Sequence, residues 1–287
     1  MQEDKLVEAL LGVEVPTCEE MQEIEVSSRL NVENGARYMT ATLMSRAPTA
    51  TPRTKPVTFI LSAHRLCTVR YDDPRPFAIV EHKLARSCSP KVSGESVLMD
   101  LLDAVVDRSA DIQERIGVEV DQISHLIFEP DDTETMSYNG VLKALGRMGD
   151  LTSKGRESQG SVGRLLSFLA NEAQGMKWSK DSRLHVQSMQ RDIISLADHA
   201  TFLAGKITFL LDAMLGVVNI QQNAIIKIFS IAAVVFMPPT LVASIYGMNF
   251  KSGMLELDWE LGYSFALTLM VLAAVVPLWI FKWKKWL

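Results

Sequence analysis

The sequence is poor in the features that staple small folds or build active sites. Its three cysteines, Cys18, Cys67 and Cys88, are odd in number, widely spaced and without a C-x-x-C pair, which argues against a disulfide framework or a zinc knuckle. They fit a reducing compartment. There is no basic excess: 29 Lys plus Arg stand against 34 Asp plus Glu, a net charge of -5, which excludes a free basic nucleic-acid binder. Catalytic motifs are missing too. His64, His82, His125, His185 and His199 are scattered, with no H-E-x-x-H, G-x-S-x-G or Walker A loop, and they read as surface or satisfied core residues. Gly160-Ser161-Val162-Gly163 is too short for a phosphate loop, so neither an enzyme nor an organic cofactor is expected. Met1 to Leu11 lacks the basic and apolar regions of a secretory signal, so the N-terminal part is expected to stay inside.

What is present is unevenly distributed. The chain is 48% hydrophobic and 22% charged, yet nearly all its long apolar runs lie beyond Ile225. Residues 1–92 read as a small α/β sheet region. Thr17 caps an acidic helical turn over Glu19 to Glu25. Arg37–Met44, Val57–Leu61 and Leu66–Arg70 read as strands of a mainly antiparallel sheet, the last two forming a hairpin, with Ala47 to Pro52 an exposed connection. Residues 93–183 read as long helices. The first runs to about Phe128 and ends at Glu129-Pro130. The second, about Thr135 to Ala173, carries Gly146, Gly149, Gly155, Gly160 and Gly163, which argue against a continuous helix.

The most regular pattern is Val186, Met189, Ile193, Leu196, Ala200, Leu203, Ile207, Leu210, Met214 and Val217, an unbroken 3, 4 alternation. Such a seam needs lengthwise partner helices, within the subunit or between subunits. No breaker follows it, so residues 184–246 are expected to form one stalk helix continuing into an apolar span at about 225–246. A second span is expected at 261–281, after a loop at 247–260 and before a basic tail at 282–287. Lys227, Lys282, Lys284 and Lys285 mark both outer flanks, whereas the loop has Lys251 against Glu256, Asp258 and Glu260. The positive-inside rule then places both termini in the cytoplasm. Trp259, Tyr263, Trp279, Trp283 and Trp286 sit near the expected interfaces.

A two-span tail can be a mere anchor. Two features favour more: Asn223, Ile226, Phe229, Ala233, Met237, Thr240 and Ser244 follow an approximate 3.5-residue period that would line an axis among several copies. Pro238-Pro239 in mid-span also frees backbone carbonyls, which partner helices or a water-filled path must satisfy, although simple kinking explains the prolines equally well.

The run Tyr246-Gly247-Met248-Asn249 directly after the first span resembles the CorA magnesium transporter family. Phe236-Met237-Pro238 before it, Met254-Leu255-Glu256-Leu257 and Trp259 after it, and the closing Lys284-Lys285-Trp286-Leu287 belong to the same C-terminal pattern. The resemblance implies a homopentameric channel in a bacterial inner membrane. Each subunit would have an α+β cytoplasmic domain, a stalk helix entering the pore and an outer second span, surrounded by lipid. It implies Mg²⁺ as substrate, with Co²⁺ or Ni²⁺ accompanying, and Gly247, Met248 and Asn249 as the filter. A ring of neutral Asn249 amides can hydrogen-bond a hydrated Mg²⁺ without stripping its water. Thr240 and Ser244 offer hydroxyls below it, and Met237, Phe229 and Ile226 can close the path by dewetting.

The resemblance further implies closure by cytoplasmic Mg²⁺, with Asp212 at the matching stalk position and Glu33, beside Asn34-Gly35, as nearest acidic partner. Glu256, Asp258 and Glu260 would raise local cation concentration, although loop acids are usually only solvated. Leu255 stands where the family usually has proline, and Gly253 lengthens the loop, which leaves zinc transport of a related branch open. The family also carries a strand-bearing segment ahead of the position of Met1, implying a sheet short of an edge. The rival of another class is a membrane-anchored coiled-coil scaffold or sensor.

Overall fold

The computed structural model describes residues 8, 12–23, 25–45, 52–63, 65–86, 92–129, 138–176, 178–248 and 260–284. Most of the Ala47–Pro52 connection, Cys88, Asn249, Lys251, Glu256, Asp258, Trp259, Lys285 and Trp286 lie outside them. The chain divides into two compact units, Met1–Met214 and Leu215–Leu287.

The first unit opens with α1 (Cys18–Gln22), started as its sequence demands. Thr17 Oγ1 accepts the Glu20 N–H at 3.3 Å and Glu20 Oε2 accepts the Thr17 N–H at 2.8 Å, a reciprocal capping box. After the single turn α2 (Val26–Arg29) come β1 (Leu30–Glu33), β2 (Ala36–Ser45), β3 (Arg53–Ser62) and β4 (Arg65–Arg70), antiparallel in the order β1-β2-β3-β4. The three expected strands are there, and β3–β4 is a hairpin. β1 was not expected, because its four residues carry little alternation. Its pairing follows from the turn: Asn34 and Gly35 both take positive φ, 50° and 80°, the geometry that lets two strands join through two residues. β1 starts opposite Met39, so beyond that point β2 has a bare edge. There the Ser161 hydroxyl accepts the Thr42 N–H at 2.9 Å.

One face of the sheet, Met39, Ala41, Leu43, Val57, Phe59 and Leu61, joins the main core. That core is completed by α3 (Arg75–Arg86), a second unexpected element, and by three long helices: α4 (Gly94–Phe128), α5 (Tyr138–Gly175) and α6 (Lys180–Tyr246). Ala36 and Ile60 on the other face pack with Val13, bordered by Tyr38, Cys67 and Val69. Burial raises the Cys67 thiol pKa, so it resists becoming a thiolate.

The seam residues of α6 are buried inside their own subunit. Val186, Met189, Ile193, Ala200, Leu203, Ile207, Leu210 and Met214 are all at most 8% exposed. Contacts between α4 and α6 join residues 82 to 86 positions apart along the length of both helices, so these two run parallel. With α5 the pairing is antiparallel: Ser167 meets Gln190, and a Cβ placed on Gly163 or Gly149 would lie 3.6 Å from Ile193 or 3.9 Å from Ile207. This explains why α5 is continuous where its glycines argued for a break. Gly149, Gly155 and Gly163 each lie at a contact with a neighbouring element, and burial there offsets the roughly 1 kcal/mol that a helical glycine costs. α6 also starts earlier than expected, at Lys180, because Ser179 Oγ accepts the Ser182 N–H at 3.0 Å as an N-cap.

Candidate functional site

The second unit contains the remainder of α6, from Leu215, and α7 (Gly262–Trp283). Each of these helices contains an 18-residue apolar window long enough to cross a bilayer, and almost none of it is buried by the subunit. From Ile231 to Tyr246, exposure on α6 is organised by face, whereas residues 221–230 are exposed on all sides. Ile231, Ala232, Val234, Val235, Pro238, Pro239, Val242 and Tyr246 are half-buried, recurring at helical spacing. The other helix in the unit, α7, buries Gly262 and Ala266. Asn223, Ile226, Phe229, Ala233, Met237, Thr240 and Ser244 are all exposed, Phe229 and Met237 by 71% and 68%. Four of them, Ala233, Met237, Thr240 and Ser244, line one shallow concavity.

Pro238 and Pro239 lie within the continuous helix. Neither has an N–H, so the carbonyls of Val234 and Val235 lose their usual helical donors. The Thr240 hydroxyl donates to the Phe236 carbonyl at 2.6 Å, which leaves its oxygen lone pairs facing outward as acceptors. The helix ends at Tyr246 and turns at Gly247, whose N–H donates to the Ala243 carbonyl at 2.9 Å. A Cβ on residue 247 would sit 3.0 Å from that same oxygen, which is why glycine suits the first position after the span. Met248 is 47% exposed beside it. Asn249, the expected filter amide, lies outside the described residues, as do Glu256 and Asp258, while Glu260 is exposed ahead of α7.

On α7, Tyr263, Val271, Trp279 and Trp283 are the most exposed residues, and the two indoles stack at 6.2 Å beside Lys282. Aromatic residues at both ends of an apolar helix suit the two interfaces of a bilayer.

In the first unit, Asp212 is exposed, two residues from each of the buried Leu210 and Met214, and so about 200° around α6 from both. Glu33 is exposed at the end of β1. It stands near Tyr38, whose phenol pKa is raised by burial first and then by the negative charges of Glu33, Glu14 and Glu8. Among the described residues no group of three or more His, Cys, Asp and Glu side chains is arranged to hold a metal ion, and Asp212 and Glu33 belong to no such group. Sequence reasoning overlooked the half-buried row on α6. Its signal was available, since Val235, Pro239, Val242 and Tyr246 keep the same period as the polar stripe, displaced around the helix.

A profile of the CorA-like Mg²⁺ transporter protein family matches residues 6–285. The chain belongs to this family. It is 32% identical over 286 residues to the magnesium transport protein CorA of Pasteurella multocida, covering 100% of this chain and 89% of that protein. The CorA protein of Escherichia coli (strain K12) is also 32% identical, over 281 residues that cover 98% of this chain and 87% of it. The complete structure of the CorA magnesium transporter from Methanocaldococcus jannaschii superposes with a TM-score of 0.76 at 17% identity, over 98% of this chain and 86% of that one. The CorA fold of small antiparallel sheet, long helices and a second apolar helix is therefore shared throughout the chain.

Proposed function

We propose that this CorA-family chain assembles into a homopentameric channel that carries Mg²⁺ into the cell, with Co²⁺ or Ni²⁺ as accompanying ions. The observation that carries the reading is the exposed stripe from Asn223 to Ser244, with its hydroxyl-bearing and neutral side chains, ending at Gly247 on a helix whose opposite side is half-buried from Ile231 onward. Several copies arranged around an axis would convert that stripe into a pore wall. Neutral oxygens suit Mg²⁺, which holds its water tightly and must pass without being trapped. The Asn249 ring, with Gly247 and Met248, forms the filter, and Glu256, Asp258 and Glu260 concentrate cations at its mouth. Both termini lie in the cytoplasm, with spans at about 225–246 and 261–281. Cytoplasmic Mg²⁺ closes the pore by bridging Asp212 to Glu33 of a neighbouring copy. Transport needs no ATP, since a doubly charged ion gains about 4.6 kcal/mol per 100 mV of inside-negative potential.

The test is cation entry into liposomes holding the purified protein under an inside-negative potential. Mg²⁺ entry lost in Asn249→Ala, with assembly retained, supports the channel and its filter. Zinc entry that follows a proton gradient moves the chain to a different transport mode, and the absence of any flux supports the scaffold.

A further inference from the structure

A heptad seam holds α6 against α4 and α5, but a repeating seam cannot say which repeat belongs where. After a slide of seven residues, apolar positions again face apolar positions, while the whole of α6 moves by about 10 Å along its axis. Exposed ion pairs such as Asp103–His185 and Asp121–Lys206 contribute too little to prevent this. One layer of the seam differs from the rest. Around Ala200, which is 1% exposed, α4 contributes Gln113 and α5 contributes Thr152, Ser158 and Gln159, all at most 4% exposed. These side chains and Ala200 line an enclosed cavity of about 20 Å³. Gln113 is fully committed: its Nε2 donates to the mid-helix carbonyl of Leu196 at 2.7 Å, and its Oε1 lies 2.9 Å from His199 Nδ1.

We propose that this polar layer is a register lock that fixes the height of α6 on α4 and α5. A slide of one heptad in either direction would bring Ile193 or Ile207 to the place of Ala200. A branched side chain would then press into this small space, which Ile112, Ile116 and Leu203 also line, and displace the Gln113 amide from its partners on α6. At every other seam layer, a heptad slide exchanges one apolar side chain for another. The lock therefore has two halves, a small residue on α6 and the committed Gln113 amide on α4, with the α5 side chains closing the space around them, and neither half works alone. A buried polar residue that sets register in a paired-helix seam is a known physical device, here built from three helices.

The test uses the full chain in detergent with Cys18, Cys67 and Cys88 replaced by serine. Three cysteine pairs between α4 and α6 report register: Asp121→Cys with Lys206→Cys for the native one, and Asp121→Cys with Ala213→Cys or Phe128→Cys with Phe202→Cys for a heptad slide either way. With a short bifunctional thiol reagent, the unaltered layer should give a cross-link only in the native pair. In the Gln113→Leu, Gln159→Met background the slid pairs should form as well, and continued formation of the native pair alone would overturn the lock. A thermal series needs no cross-link. Ala200→Ile should lower Tm by several degrees in the unaltered layer and leave it unchanged or raised in the Gln113→Leu, Gln159→Met background. An equal drop in both backgrounds would overturn the coupling.

Discussion

The two parts of α6 both carry residues at a period close to 3.5 and end in opposite conditions. From Val186 to Met214 the spaced residues are buried by α4 and α5 of their own subunit. From Asn223 to Ser244 the spaced residues are exposed, although many are as apolar as those of the seam. A soluble subunit does not leave Ile220, Ile228, Phe229, Phe236 and Met237 each about two-thirds exposed on one helix without a further partner. The difference shows that periodicity identifies a face that must be covered, and that composition decides by what. Leu, Ile, Val and Met with interspersed charge suit a protein core. A nearly uncharged surround with one stripe of Asn, Thr and Ser suits lipid on some sides and water on another.

The largest expected break of this comparison is a truncation in each part. Leu210→Ala, at a fully buried seam position, should destabilise the first unit by about 2–5 kcal/mol. Phe229→Ala should leave the thermal unfolding of that unit unchanged and alter cation flux instead. Equal loss of stability in both would mean that α6 is packed alike throughout. Glycines sharpen the contrast next. A Cβ on Gly163 would be 3.6 Å from Ile193, whereas Gly205 has open space. Gly163→Leu should therefore overpack the junction and cost about 1–3 kcal/mol. Gly205→Leu should gain slightly from helix propensity in a chemical denaturation of the isolated subunit. A smaller effect is expected at Asp121–Lys206: with side chains 63% and 30% exposed, Lys206→Met should change stability by less than about 1 kcal/mol, and raised salt should shrink the difference.

The smallest effect lies away from α6, at Tyr38. Its phenol ionises later in the folded chain than in the unfolded one, so the stability it contributes is complete below the ordinary tyrosine range. That stability is lost as pH rises through the folded value. Tyr38→Phe should flatten the alkaline fall in Tm above about pH 10, and an unchanged slope would remove Tyr38 as its cause.

Much of the first unit was legible from particular residues. Thr17 announces an N-cap, the β-branched and apolar content of Arg37–Met44 announces a strand, and the helical spacing that begins after Ser93 announces α4. β1 and α3 were not legible. β1 depends on pairing beside β2, and α3 on burying Phe77 and Val80 against the core, neither of which is encoded in a local period. The α5 glycines misled for a related reason, since propensity counts what a glycine costs in an isolated helix and tertiary contact supplies what offsets it. For the site, the stripe and the Gly-Met-Asn run were readable from spacing and resemblance. The half-burial of the opposite row of α6 was not.

By itself the sequence determined the elements and their faces: two apolar helices, a seam, a polar stripe and a glycine at the end of the span. These follow from side-chain chemistry at fixed helical angles, which no neighbour can change. Only the tertiary structure decided that the seam is satisfied within one subunit, parallel to α4 and antiparallel to α5. It also decided that Gln113 meets α6 beside Ala200. A heptad repeat fixes direction around a helix axis, and position along that axis comes from the contacts that do not repeat.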